Sequence, residues 1–105
     1  MPDKRSLPLA RKTREALHGL AKDVHIRVFV TPGCPFCPAA ARLAHKMAVE
    51  SERVTADVVE ASEFPDLVRL YDVHGVPKVV VNESVEFVGA QPEARFLDLV
   101  LRAAA

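Results

Sequence analysis

Cys34 and Cys37 stand three positions apart in the stretch TPGCPFCP, residues 31–38, and no other cysteine occurs in the chain. A pair at this spacing can exchange electrons with disulfides, supply half of a zinc site, or sit inert in a core. Zinc takes about four ligands; beyond the two thiols the chain offers scattered histidines, and His45 and His74 lack ligand-like spacing. Cys34 falls at the end of a strand-like run and just before a helix-like one. A helix start presents free backbone N–H groups and a partial positive charge, which favour a thiolate. There a thiol pKa of about 8.5 can fall to roughly 3.5–7.5. Cys37 lies about one turn on, within reach. One exposed thiolate can attack a disulfide and the second can then resolve the mixed disulfide. The spacing points to a redox centre.

A second feature is GVPK, Gly75 to Lys78, directly ahead of an apolar run. Proline can open a strand but not sit inside a central one. It is also the residue that most readily carries a cis bond. A cis Val76–Pro77 bond would offer the Val76 backbone as an edge on which an extended substrate could pair. Phe36, between the cysteines, either lines a substrate groove beside Cys34 or packs inward.

The elements that must position these residues follow from periodicity. Residues 8–22 carry Leu9, Ala10, Ala16, Leu17, Leu20 and Ala21 at near-helical spacing, with Pro8 suited to a first helical position and Asp23 closing the segment. Val24–Val30 is β-branched and too short for a helix, hence a buried strand. From Pro35 to Glu50 an amphipathic helix is predicted, with Phe36, Ala40, Leu43, Ala44 and Met47 on one face. Arg53–Val59 reads as a strand and Glu63–Tyr71 as a short helix with Pro65 in its first turn. Residues 77–82 and 85–89 read as two strands about a tight ESV turn. A last helix begins near Pro92, with Phe96, Leu97, Val100 and Leu101 as its apolar face. Two βα crossovers set the first two strands parallel, and the last two form an antiparallel hairpin.

Composition narrows the function. One domain is expected from 105 residues, half of them apolar, which is enough chain to bury roughly 60–70% of its unfolded surface. Fourteen Lys and Arg balance fourteen Asp and Glu, arguing against nucleic acid or an anionic membrane as the main partner. No apolar run is long enough to span a bilayer, and the charged first twenty residues do not fit a signal peptide. A cytoplasmic protein is therefore expected, where a Cys pair is catalytic or metal-binding more often than a structural staple.

Strand, C-x-x-C opening a helix, then V-P opening a late strand: this order resembles the thioredoxin and glutaredoxin superfamily. More narrowly, FVTPGCPFCP, EFPDLVRLYDVHGVPKVVVN and EFVGAQPEARFL resemble the glutaredoxin-like unit of protein disulfide oxidoreductases and the amino-terminal domain of the alkyl hydroperoxide reductase flavoprotein. The resemblance implies an α/β, thioredoxin-like three-layer fold: a four-stranded mixed sheet with helices on both faces, preceded by an amino-terminal helix. Residues 1–23 would be a helical extension packed on the domain, and residues 24–105 the domain itself. It implies Cys34 as nucleophile, Cys37 as resolving thiol, Pro77 as the cis proline beside them and Val76 as the backbone clamp. Thioredoxins bury an aspartate in the first strand; here that strand has no acid, and Glu60, at the end of the second strand, is the candidate for proton transfer to Cys37. Glutathione-gripping relatives carry G-G and acids where this chain has GAQPE, residues 89–93, which argues against a tight glutathione site.

The implied activity is thiol–disulfide exchange with protein substrates, with no metal or organic cofactor in the cycle and a flavoprotein reductase of the thioredoxin reductase type as electron donor. A non-catalytic docking module and a glutathione-dependent glutaredoxin are the alternatives.

Overall fold

Val24–Val30 forms strand β1, and its alternation decides which residues enter the core. Val24, Ile26 and Val28 are essentially inaccessible on one face, while His25, Arg27 and Phe29 point to the other. Helix α2 (Cys37–Glu50) carries the chain back to strand β2 (Val54–Glu60), which pairs with β1 in parallel. Strands β3 (Lys78–Val81) and β4 (Val85–Val88) form a hairpin, and β3 pairs antiparallel with the other side of β1. The sheet order is β2-β1-β3-β4, the mixed four-stranded sheet expected. These assignments come from a computed structural model, which describes residues 8–105; the part of the expected extension ahead of Pro8 lies outside the described residues.

Three helices cover the face that bears Ile26 and Val28. α2 lies on β1 and β2, and α4 (Glu93–Ala104) lies on β1, β3 and β4. Helix α1 (Arg11–His18) packs against both of them. One buried cluster joins Leu9 and Leu17 of this leading segment to Met47, Val79, Phe96 and Val100. The short helix α3 (Pro65–Leu70) reaches the opposite face, where the Tyr71 ring following it lies 5.5 Å from that of Phe29.

α1 is tied down by one carboxylate. Glu93, in the first turn of α4, accepts a 2.6 Å hydrogen bond from the Thr13 hydroxyl and a 3.0 Å bond from the Ala10 N–H. An anion is favoured at a helix start, and Thr13 is buried. Thr13→Val should lower stability by about 1.5–3 kcal/mol, the scale of a buried hydrogen bond to a charged group. Urea unfolding followed by circular dichroism would register it as a lower midpoint with an unchanged slope.

Several boundaries differ from the periodicity, each for a local reason. α1 starts at Arg11, because Ala10 is extended (φ −59°, ψ 149°), and it ends at His18, capped by Gly19; Pro8 therefore stands outside the helix. α2 starts at Cys37 and not at Pro35. Beginning at Pro35 would place Pro38 where the first intrahelical N–H is required. Beginning at Cys37 puts Pro38 in the first turn, where its missing N–H costs nothing, and the first bond runs from Ala40 N–H to the Phe36 carbonyl at 3.4 Å. The buried stripe of α2 is Cys37, Ala40, Ala44 and Met47, while Phe36 is 64% exposed. On α4 the buried face is Phe96, Leu97, Leu99 and Val100, and Leu101 is exposed. Phe96 sets that rotation by meeting Phe87 edge-on at 5.2 Å.

The hairpin turns one residue earlier than expected. Asn82 and Glu83 are both left-handed (φ 51° and 61°), the pair of conformations that suits a tight hairpin. Asn82 accepts the His25 N–H with its side chain at 2.7 Å and donates its own N–H to the His25 carbonyl at 3.0 Å. Thus the turn is stitched to the central strand.

Candidate active site

Four residues turn the end of β1 into the start of α2. Thr31 accepts the Cys34 N–H at 3.4 Å across Pro32 and Gly33. Gly33 has φ +79°, the conformation that the third residue of a type II turn requires. This turn delivers Cys34 to the rim of the sheet and leaves Cys37 as the first residue of the helix.

The two cysteines are joined as a disulfide, with Cα atoms 5.4 Å apart. Their environments differ. Cys34 is partly exposed, whereas Cys37 is 3% exposed and belongs to the buried stripe of α2. The Cys37 backbone N–H donates to Cys34 Sγ at 3.2 Å. In the reduced protein the same donor faces any negative charge on Cys34, one of the unpaired N–H groups of a helix start. A hollow lined by Val30, Thr31, Pro38, Ala41 and Val58 flanks the pair.

On the other flank stands the chain ahead of β3. The Val76–Pro77 bond is cis, Pro77 is fully buried, and the Val76 carbonyl oxygen lies 3.9 Å from Cys34 Sγ. The Pro77 carbonyl accepts the Gly89 N–H at 2.8 Å, which continues the β3–β4 pairing up to the site. Cys34, Cys37, Val76 and Pro77 therefore share one end of the sheet.

Phe36 and Glu60 are placed differently. Phe36 points outward next to the cysteines and lines neither the core nor the hollow. Glu60 sits opposite Val30 in the β1–β2 register, at the active end. Its carboxylate, however, caps the short helical turn after β2, accepting the Ser62 N–H at 3.3 Å and the Ser62 hydroxyl. Among the described residues it makes no hydrogen bond to either cysteine.

Periodicity missed a polar cluster on the Phe29 face. Arg27 donates to the Tyr71 hydroxyl and stacks its guanidinium 4.9 Å from that ring. Tyr71 in turn donates to Glu83 at 2.6 Å. That hydrogen bond, with some help from burial, raises the phenol pKa above its usual value of 10.0, although Arg27 pulls the other way. Tyr71 thus stays a protonated donor at neutral pH. Next to it, Lys78 is buried and paired with Glu86 at 3.0 Å. The lone cation in PKVVV was the available signal: on an alternating strand it faces away from Val79 and Val81, and a hairpin partner must supply its counter-charge.

Comparison with known proteins agrees with this geometry. The family model described as a thioredoxin domain matches residues 24–102. A thioredoxin of Methanocaldococcus jannaschii is 33% identical over 78 residues, covering 73% of this chain and 92% of that protein. A solved protein disulfide oxidoreductase from Aeropyrum pernix superposes with a TM-score of 0.83 at 41% identity over 91% of this chain. The match takes in only 44% of that structure, so the chain spans less than half of it. The N-terminal domain of the alkyl hydroperoxide reductase subunit AhpF from Enterococcus faecalis shares the fold, with a TM-score of 0.82 at 23% identity over 90% of this chain and 45% of that one. The chain belongs to the thioredoxin family, and with its Cys34–Cys37 pair in place it is a thiol–disulfide oxidoreductase.

Proposed function

We propose that this chain exchanges its dithiol with disulfides in protein substrates, with Cys34 as the attacking thiol and Cys37 as the resolving one. The observation that carries this assignment is the unequal burial of the pair: Cys34 is the one open to an incoming disulfide, and among the described residues it alone of the two receives a backbone N–H. In the cycle, the Cys34 thiolate attacks one substrate sulfur and forms a mixed disulfide. The other substrate sulfur leaves as a thiolate and takes a proton. Cys37, once deprotonated, attacks Cys34 Sγ and releases the second substrate sulfur. Two electrons and two protons pass to the substrate, and the protein is left with the Cys34–Cys37 disulfide.

Val76 would pair its backbone with an extended substrate segment, and Pro77 would hold that edge against Cys34. Phe36, exposed beside the nucleophile, would supply apolar contact to the same segment. The reading includes a flavoprotein of the thioredoxin reductase type to return the electrons, and a place in cytoplasmic redox homeostasis and electron transport. Glu60, opposite Val30 at the active end of β2 and held there by Ser62, would take the Cys37 proton in this cycle.

The test is alkylation of the reduced protein across pH, with the modified cysteine mapped by mass spectrometry. Cys34 is expected to react first, with an apparent pKa below the value of about 8.5 for a free thiol. Equal, sluggish reaction of both thiols at that ordinary pKa would reject the mechanism.

A further inference from the structure

Among the described residues Lys78 is the only buried charge, 6% exposed in its place directly after Pro77. Its ammonium donates to the Tyr71 carbonyl at 2.5 Å and to the Asp72 carbonyl at 3.3 Å, and it pairs with Glu86 at 3.0 Å. Those contacts occupy the three donors of the group. Tyr71 follows the last residue of α3, and Asp72 is left-handed (φ 53°), so the two carbonyls mark the point where the chain leaves the helix. From there residues 73–76 run to Pro77 and back to Lys78 itself. The side chain of Lys78 therefore closes a ring around the segment that contains Val76. Within that segment Val73 bonds back to Val68 at 2.9 Å, while His74, Gly75 and Val76 make no backbone–backbone hydrogen bond among the described residues.

We propose that Lys78 is a positioning residue for this site: by holding the Tyr71 and Asp72 carbonyls, it fixes where the Val76 backbone stands relative to Cys34. The inference rests on the reading of Val76 as the substrate-pairing edge. Burying an ammonium is costly, and an apolar side chain of similar length would fill the space at less expense. What the apolar chain lacks is the tether. With the tether gone, residues 73–76 keep their sequence but lose their register against the nucleophile. Cys34 itself keeps its turn, its helix start and its N–H donor, none of which involves Lys78.

The two roles separate kinetically. Lys78→Met should raise the KM for insulin, with dithiothreitol as reductant, by roughly tenfold, since a displaced binding edge weakens association with an extended substrate. Its kcat, its Cys34 alkylation profile and its single-turnover rate with dipyridyl disulfide should stay within about twofold of wild type, because that small disulfide needs no edge. Lys78→Arg, which keeps the charge but replaces a compact ammonium with a planar fork, should fall between the two in KM. If the Met variant does not fold, the Arg variant decides alone, with the same split required of it. A KM equal to wild type, or an equal fall in the insulin and dipyridyl disulfide rates, would overturn the positioning role. A wild-type protein unable to reduce insulin would overturn the proposed function itself, which keeps the two failures apart.

Discussion

Cys34→Ser should bring protein-disulfide reduction down to the rate of the reductant alone, measured as insulin turnover with dithiothreitol. A serine hydroxyl remains protonated at neutral pH, and the Cys37 N–H donor at 3.2 Å then faces a group with no charge to stabilise. Cys37 does not replace it, being 3% exposed and packed with Ala40, Ala44 and Met47 in the stripe of α2. Cys37→Ser should behave differently. Attack by Cys34 remains possible, but nothing resolves the product, so a one-to-one mixed disulfide with the substrate should accumulate and dissolve on adding reductant. Non-reducing electrophoresis with mass spectrometry separates the two variants. If instead Cys37→Ser were inactive and formed no adduct while Cys34→Ser trapped one, the roles would be reversed. Retention of partner binding by an inactive Cys34→Ser would show that docking is separable from chemistry, the alternative of an interaction module.

The largest effect on stability is expected at Phe96. Its ring is fully buried between α4 and the sheet, edge-on to Phe87, in the cluster that also holds Leu17, Met47 and Val100. Phe96→Ala removes that ring and leaves a cavity that the surrounding strands close only in part, at a cost of about 3–5 kcal/mol. Against a total stability of about 5–15 kcal/mol for an ordinary domain, that is a large share. The melting temperature should fall by about 4–8 °C for each kcal/mol lost in a chain of this size. Phe36→Ala offers the contrast, since that ring is 64% exposed; its effect on stability should stay within about 0.5 kcal/mol. Calorimetry on the two variants checks both expectations. Comparable losses would mean that Phe36 carries packing its exposure does not reveal.

The order of elements, the sheet and the chemistry of the pair were all legible along the chain. β-Branched runs of strand length, apolar stripes at helical spacing and the two crossovers permit few arrangements, and the mixed four-stranded sheet is the one formed. C-x-x-C at a strand-to-helix junction states its chemistry locally, because helix-start donors and one turn of spacing are properties of the backbone. The helix boundaries were also written locally, in Pro38 and Gly19, but in backbone hydrogen bonding and not in the apolar pattern.

What the chain order alone left open was rotation and partnership. Whether Phe36 or Cys37 completes the buried stripe, and whether Leu99 or Leu101 flanks Phe96, depends on how each helix is turned against a sheet built from distant segments. Glu60 has a position at the active end that periodicity can supply, but the direction of its carboxylate was decided by Ser62. Likewise the lone cation of PKVVV calls for a counter-charge, but only the fold brings Tyr71, Asp72 and Glu86 around it. Short-range physics, repeated at every turn of backbone, determines elements and the motifs that sit on them. Contacts between residues far apart in sequence exist only once the sheet has closed, and these contacts decide which cysteine is open, which ring is buried and which charge has a partner.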